Sequence, residues 1–195
     1  MFKNEMQKIT DASLKKIEFM KKSPLGYIIL SALAGVYLGF GITLIFSVGG
    51  PIADTGGGAY LKLIMGASFG IALSLVIFAG SELFTGNNMI FAISGLAKRV
   101  GVGPIVILFI MCFIGNFIGS AFIGWLVVQG DSLPQASQAL VLKVAAMKMG
   151  LGAKEAFLRG VLCNWLVCLA VWLSLRMQSE TAKLIMIFWC LFAFI

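Results

Sequence analysis

Apolar residues fall along this chain in long runs, not in the every-other pattern of a half-buried strand or the stripe of a soluble helix. A membrane-spanning helix needs about 20 mainly apolar residues. Leu25–Val48, Val102–Val128 and Ala156–Leu175 each meet that length and predict three spans. Leu61–Ala97 breaks the rule. As one helix it would be roughly 55 Å long, against a hydrocarbon core of roughly 30 Å, yet it is too short for two spans and a connector. In its middle stands the polar, glycine-bounded stretch Gly80–Asn88. The pattern predicts one pass made of two half-helices, with an irregular loop at membrane depth. Backbone of that kind is tolerated only where it is buried in protein or lines a wet cavity, so the break points to a pathway.

The two ends differ from the middle. In Met1–Lys22, Phe2, Met6, Ile9, Ile17 and Met20 fall near one helical face and most of the six lysines fall elsewhere, which predicts an amphipathic interfacial helix ending at Ser23-Pro24. A plain solvated lead-in is the competing reading, and a signal peptide is not supported, since no cleavage pattern closes the apolar stretch that follows. The expected organisation is residues 1–24 as the N-terminal helix and residues 25–195 as a transmembrane domain. At the other end, Leu184–Ile195 is apolar but too short to span. Either it re-enters and ends against protein or it belongs to a longer chain; the expectation is a chain cut short, because bare carbonyls in hydrocarbon are costly.

Composition sharpens this picture. Of the 195 residues 60% are apolar and 12% charged, and the mean hydropathy is +1.01, against about 45–50% and about 25% in soluble domains. Together these define an all-α polytopic membrane protein. The formal charge of +7 does not indicate nucleic acid, because the basic residues sit between apolar runs. With the N-terminus cytoplasmic, the inner side carries Lys3, Lys8, Lys15, Lys16, Lys21, Lys22, Lys98, Arg99, Arg176 and Lys183, and the outer side Lys62, Lys143, Lys148 and Lys154. That asymmetry favours an inward N-terminus. Small-residue spacings at Gly35/Gly39, Gly66/Gly70 and Gly115/Gly119 suit close helix contacts.

Enzyme chemistry finds no footing. There is no histidine, no Walker loop, no metal-ligand spacing and no pair of carboxylates at catalytic spacing, so neither enzyme activity nor a cofactor is expected. Gly56-Gly57-Gly58 reads as an outer turn, and Cys112, Cys163, Cys168 and Cys190 as inert thiols in apolar runs. Intramembrane polar residues are then the pointers, because each is expensive to place. Glu82 either faces the pathway and orders the loop or satisfies backbone N–H groups of the second half-helix. Thr85 offers a hydroxyl where half-helix ends present free N–H groups, which attract anions; the alternative is a local turn. Lys148 either gathers anions at a cavity mouth or is an ordinary interfacial lysine. Arg159 reads as an interface anchor near the outer end of its span. Asn164, deeper in the same span, serves as helix–helix glue or lines the path. Phe69 and Leu73 share a face and form either packing or a gate.

Gly80–Asn87 (GSELFTGN), preceded by MGASFGIALSLVIFA, resembles the broken second helix of the formate–nitrite transporter family. Phe157–Trp172 (FLRGVLCNWLVCLAVW) resembles that family's fourth-helix signature, and the likeness, strongest to its bacterial nitrite-channel branch, extends to the final FWCLFAFI. The resemblance covers the whole written chain. It implies a homopentamer in the bacterial inner membrane, with one pore per protomer in an aquaporin-like inverted repeat whose second and fifth helices are broken. It also implies passage of small monovalent anions of weak acids, with nitrite first and formate or hydrosulfide as alternatives. By motif, Thr85 matches the loop threonine facing the pore centre, and Lys148 and Asn164 match the outer lysine and fourth-helix asparagine. Phe69, Leu73 and Phe194 match constriction residues, and Leu83 and Phe84 belong to the loop. The family's pore histidine follows the phenylalanine matched by Phe194, so the second part of helix five and helix six are expected to be missing from the written chain. A non-conducting fragment or scaffold is the reading from another class; the partners expected of a channel are the anion and the lipid bilayer.

Overall fold

The computed structural model describes residues 2–193 and is helical, with no strand among the described residues. Eight helices follow in order: α1 (Lys3–Lys22), α2 (Pro24–Asp54), α3 (Gly58–Phe78), α4 (Phe84–Leu96), α5 (Val102–Gln129), α6 (Gln135–Met149), α7 (Ala153–Arg176) and α8 (Glu180–Phe192). Pro24 opens α2, where its missing N–H costs nothing. Four helices are long and apolar enough to cross a membrane: α2, α5 and α7 at full length, and Tyr60–Phe78 of α3. Large apolar side chains such as Phe113, Phe117, Phe157 and Trp165 remain exposed on α5 and α7. In water such faces would be a liability; in lipid they are ordinary.

The expected broken pass is present, and its halves have different neighbours. α3 packs against α2 and α8, whereas α4 packs against α1, α7 and α5. The non-helical gap is shorter than the polar stretch suggests, running from Ala79 to Leu83, and helix resumes at Phe84. α3 ends in a Schellman-type turn, in which the Ser81 N–H donates to the Val76 carbonyl at 3.2 Å and Gly80 takes a left-handed φ of +77°. A Cβ at Gly80 would meet nothing within 4 Å, so the Gly80→Ala variant isolates the backbone cost. It is expected to lose about 1–2 kcal/mol of thermal stability in detergent, while Gly103→Ala, also in open space but with no left-handed φ, should lose none.

The bundle closes through its small residues. A Cβ at Gly35 would lie 2.2 Å from the Asn116 carbonyl oxygen, and one at Gly119 would lie 1.8 Å from that of Ala32, so α2 and α5 touch backbone to backbone. Gly66 and Gly70 face Phe192 and Phe188 of α8. All three glycine pairs are therefore used in contacts within the chain. α1 does not stand off as a free surface helix. Ile9, Ile17 and Met20 are buried in a cluster with Tyr27, Ile90, Phe91 and Leu108, while Phe2, Met6, Leu14 and Phe19 stay partly exposed. Its first turn is pinned to the end of α7 by a Phe2–Trp172 edge contact at 5.7 Å and by Arg176 lying 5.1 Å over the Phe2 ring.

Candidate functional site

The break leaves backbone polar groups at depth, and each must find a partner. Asn116 of α5 meets several of them. Its Oδ1 accepts from the Phe84 N–H at 2.9 Å, capping the first turn of α4, and its Nδ2 donates to the carbonyls of Glu82 and Ser31, both at 2.8 Å. The Glu82 N–H donates to the Leu30 carbonyl at 3.2 Å. Because an amide already caps α4, the Glu82 carboxylate is released for another task. Its Oε1 meets Lys16 Nζ at 2.5 Å, and its Oε2 accepts from Tyr27 Oη at 3.2 Å and Asn87 Nδ2 at 3.0 Å. Of the two expectations for Glu82, capping of the second half-helix is not what the structure shows. The side chain caps no backbone group among the described residues; it joins α1, α2 and α4 at one point.

Thr85 sits in the first turn of α4, not in an open loop. Its hydroxyl has no hydrogen-bond partner among the described residues, and it is only half-buried. Its carbonyl accepts from Asn164 Nδ2 at 2.9 Å, and Asn164 Oδ1 accepts from Asn88. Asn164 also donates to Cys168 Sγ at 3.1 Å. α7 thus fixes where Thr85 stands.

Phe69, Leu73 and Leu83 come together in one apolar cluster with Val167, Ala170 and Ile187; Leu73 is 1% exposed and Phe69 6%. Phe84 does not join them. Its ring turns to α5 and packs on Phe109 at 5.4 Å and Phe113 at 5.7 Å. Phe194 lies outside the described residues. Lys148 is exposed in the last turn of α6. Arg159 pairs with Glu155 one turn earlier, on an exposed face. All four cysteines are free thiols. On the α1 side of Leu73 and Leu83 lies a cavity of about 150 Å³, whose wall includes Lys16, Ser81, Asn87 and Val171.

Four residues that organise this site are absent from the sequence-level candidates: Lys16, Tyr27, Asn87 and Asn116. Asn116 carried a legible signal, an amide in the middle of a predominantly apolar 28-residue helix, where a polar group must be bonded. Tyr27 and Asn87 sit near polar segment ends and look unremarkable there. Lys16 is hidden among five other N-terminal lysines.

Comparison with known proteins places the chain among transporters. The family described as Formate/nitrite transporter matches residues 3–195. The nitrite transporter NirC of Salmonella typhimurium is 40% identical over 196 residues, covering 100% of this chain and 71% of that protein. A solved structure described as an FNT family ion channel superposes with a TM-score of 0.91 at 38% identity, covering 99% of this chain and 76% of that one. A second, a pentameric formate channel with formate bound, superposes with a TM-score of 0.74 at 23% identity, covering 89% of this chain and 69% of that one, and shows likeness of fold.

Proposed function

The chain belongs to the formate/nitrite transporter family, and on that premise we propose that it forms a transmembrane passage for small monovalent anions of weak acids, nitrite first among them. Support for nitrite comes from the NirC relative. The observation that carries the reading is the Thr85 hydroxyl, without a hydrogen-bond partner among the described residues, held in the first turn of a broken helix by Asn164 and standing two residues past the buried Leu83. A bare anion in an apolar constriction faces a desolvation cost on the order of tens of kcal/mol. Three features lower it. Lys148 gathers the anion at the outer side. Phe69, Leu73 and Leu83, with Phe194, exclude bulk water. The Thr85 hydroxyl, beside the positive end of the α4 dipole, donates to the anion between constrictions. Passage is passive or proton-linked, the neutral acid being the form that crosses apolar walls most easily.

The same reading makes the protein a homopentamer in the bacterial inner membrane with its N-terminus inside. The fold-level relative is itself pentameric, and the exposed apolar faces of α5 and α7 offer surface for neighbours and lipid. Residues 1–24 then cover the inner end of a channel domain at 25–195, with Phe2, Met6, Leu14 and Phe19 toward the bilayer interface.

Thr85→Val keeps shape and removes the donor. A hydrogen bond to a charged group contributes about 1.5–3 kcal/mol, so nitrite flux through Thr85→Val proteoliposomes should fall about ten- to a hundredfold. Lys148→Ala should leave the maximal rate intact and raise the half-saturating nitrite concentration about tenfold. Unchanged flux in both variants would remove these residues from the pathway. Formate in excess, added with nitrite, reports whether the two anions share the path: competition supports a broad weak-acid passage, and its absence a nitrite-selective one.

A further inference from the structure

We propose that Asn88 is a positioning residue for the passage: through Asn164 it fixes the turn of α4 from which the Thr85 hydroxyl meets the anion. This rests on the reading of the chain as an anion passage. Thr85 and Asn88 stand three residues apart in α4, a spacing that puts them on one face of a helix. Asn164 of α7 reaches both. Its Nδ2 donates to the Thr85 carbonyl at 2.9 Å, and its Oδ1 accepts from Asn88 Nδ2.

The direction of both bonds follows from what each atom can do. The Thr85 carbonyl can only accept, so the Asn164 amide must turn its nitrogen towards it. Asn164 Oδ1 is then left facing Asn88, where the amide NH2 satisfies it. Asn164 Nδ2 also donates to Cys168 Sγ at 3.1 Å, and that thiol lies 3.5 Å from the same Thr85 carbonyl. Asn164 thus spends both its N–H groups within the protein, and serves the path by holding α4. Without Asn88 nothing among the described residues would keep its amide from turning over and setting oxygen against oxygen at Thr85.

A single contact from α7 would leave α4 free to turn about it, whereas two contacts along one face set its rotation. Asn116 and Glu82 hold other parts of the first turn, through the Phe84 N–H and Asn87, and neither bonds Thr85 or Asn88. Rotation matters for the hydroxyl. At roughly 4 Å from the helix axis it moves about 1.4 Å for a turn of about 20°. In catalytic sites a misplacement of about 1 Å can cost about a hundredfold, and a donor that must meet an anion in transit is under the same demand. Asn88 itself is half-buried and borders an apolar groove of about 480 Å³ between α4 and α5, so its size can change without a clash.

The test is a cycle with Thr85. Nitrite influx into proteoliposomes holding the full-length protein is measured against nitrite concentration for wild type, Asn88→Leu, Asn88→Gln, Thr85→Val and Asn88→Leu/Thr85→Val. Leucine matches asparagine in size but has no donor; glutamine keeps the donor, and the groove takes its extra methylene. The expected result for Asn88→Leu is a maximal rate about tenfold lower at an unchanged half-saturating concentration. Asn88→Gln should stay near wild type, and Asn88→Leu should add no further loss to Thr85→Val. Asn88→Ala removes the donor without adding bulk and takes the place of Asn88→Leu if that protein does not fold. The same fold-loss in the wild-type and Thr85→Val backgrounds, no loss in either, or a loss shared by Asn88→Gln would overturn the positioning role and leave the passage reading standing. Thr85→Val passing nitrite at the wild-type rate would remove the role of Thr85 and that of Asn88 with it. Wild type passing no nitrite would instead overturn the passage reading itself.

Discussion

Glu82→Ala should destabilise the protein by about 3–5 kcal/mol, the cost of breaking a buried ion pair from one side. The two side chains are 11% and 21% exposed, so water does little to screen the charge left behind. Removing the carboxylate strands the Lys16 ammonium, takes the acceptor from the buried Tyr27 hydroxyl, and leaves the buried Asn87 amide only Tyr27 Oη and Cys112 Sγ. Lys16→Ala alone should cost a comparable amount, because the carboxylate then keeps two hydrogen bonds but no countercharge. Lys16→Ala/Glu82→Ala should cost clearly less than the sum, since neither charge is stranded. Thermal unfolding of the four proteins in one detergent gives the coupling directly. Additive losses would mean that the pair is a surface contact of the ordinary kind, worth about 0–1 kcal/mol.

Gly119→Ala is the second large effect, and it comes from a single methyl group. The new Cβ would stand 1.8 Å from the Ala32 carbonyl oxygen, with the Ala32 backbone carbon at 2.7 Å. Backbone atoms cannot turn aside as a side chain can, so α2 and α5 must separate. Asn116, one turn earlier on the same face, would lose its grip on Ser31 and on the break. The loss should reach or exceed the upper end of the roughly 1–3 kcal/mol typical of overpacking. Gly124→Ala in the same helix is the control: a Cβ there meets nothing within 4 Å, and replacing a helical glycine by alanine is favourable by about 0.5–1 kcal/mol. The two variants should therefore move the melting temperature in opposite directions. Equal shifts would contradict the close crossing of α2 and α5.

Much of the architecture was legible because lipid makes severe demands on sequence. Length and apolarity alone placed α5 to within a residue and α7 to within three, while α2 runs six residues past the expected Val48, and the excess length of Leu61–Ala97 disclosed the break. The expected loop ran too long, to Asn88, because its polarity concealed that Asn116 caps the Phe84 N–H and lets α4 start early. α6 went unforeseen as a helix. It is too short to span, and only its packing on α2, with Ser137 set against Gly50, distinguishes it from an apolar outer stretch.

The site was less legible, for a physical reason. Thr85 and Asn164 were found because a polar residue within an apolar run stands out. Their mutual contact across 79 positions was not visible, and neither was the Lys16–Glu82 pair across 66. Local periodicity places a side chain on a face, but the partner on that face belongs to the tertiary fold. Phe84 shows the same limit: the family resemblance assigns it to the loop and constriction, yet two aromatic rings, Phe109 and Phe113, draw it to α5.

The central claim is an anion passage built on the broken helix, and the most direct measurement is nitrite influx into proteoliposomes holding the full-length protein, with Thr85→Val beside it. The account predicts influx well above protein-free vesicles for wild type and about ten- to a hundredfold less for Thr85→Val. Wild-type influx equal to that of protein-free vesicles would contradict it.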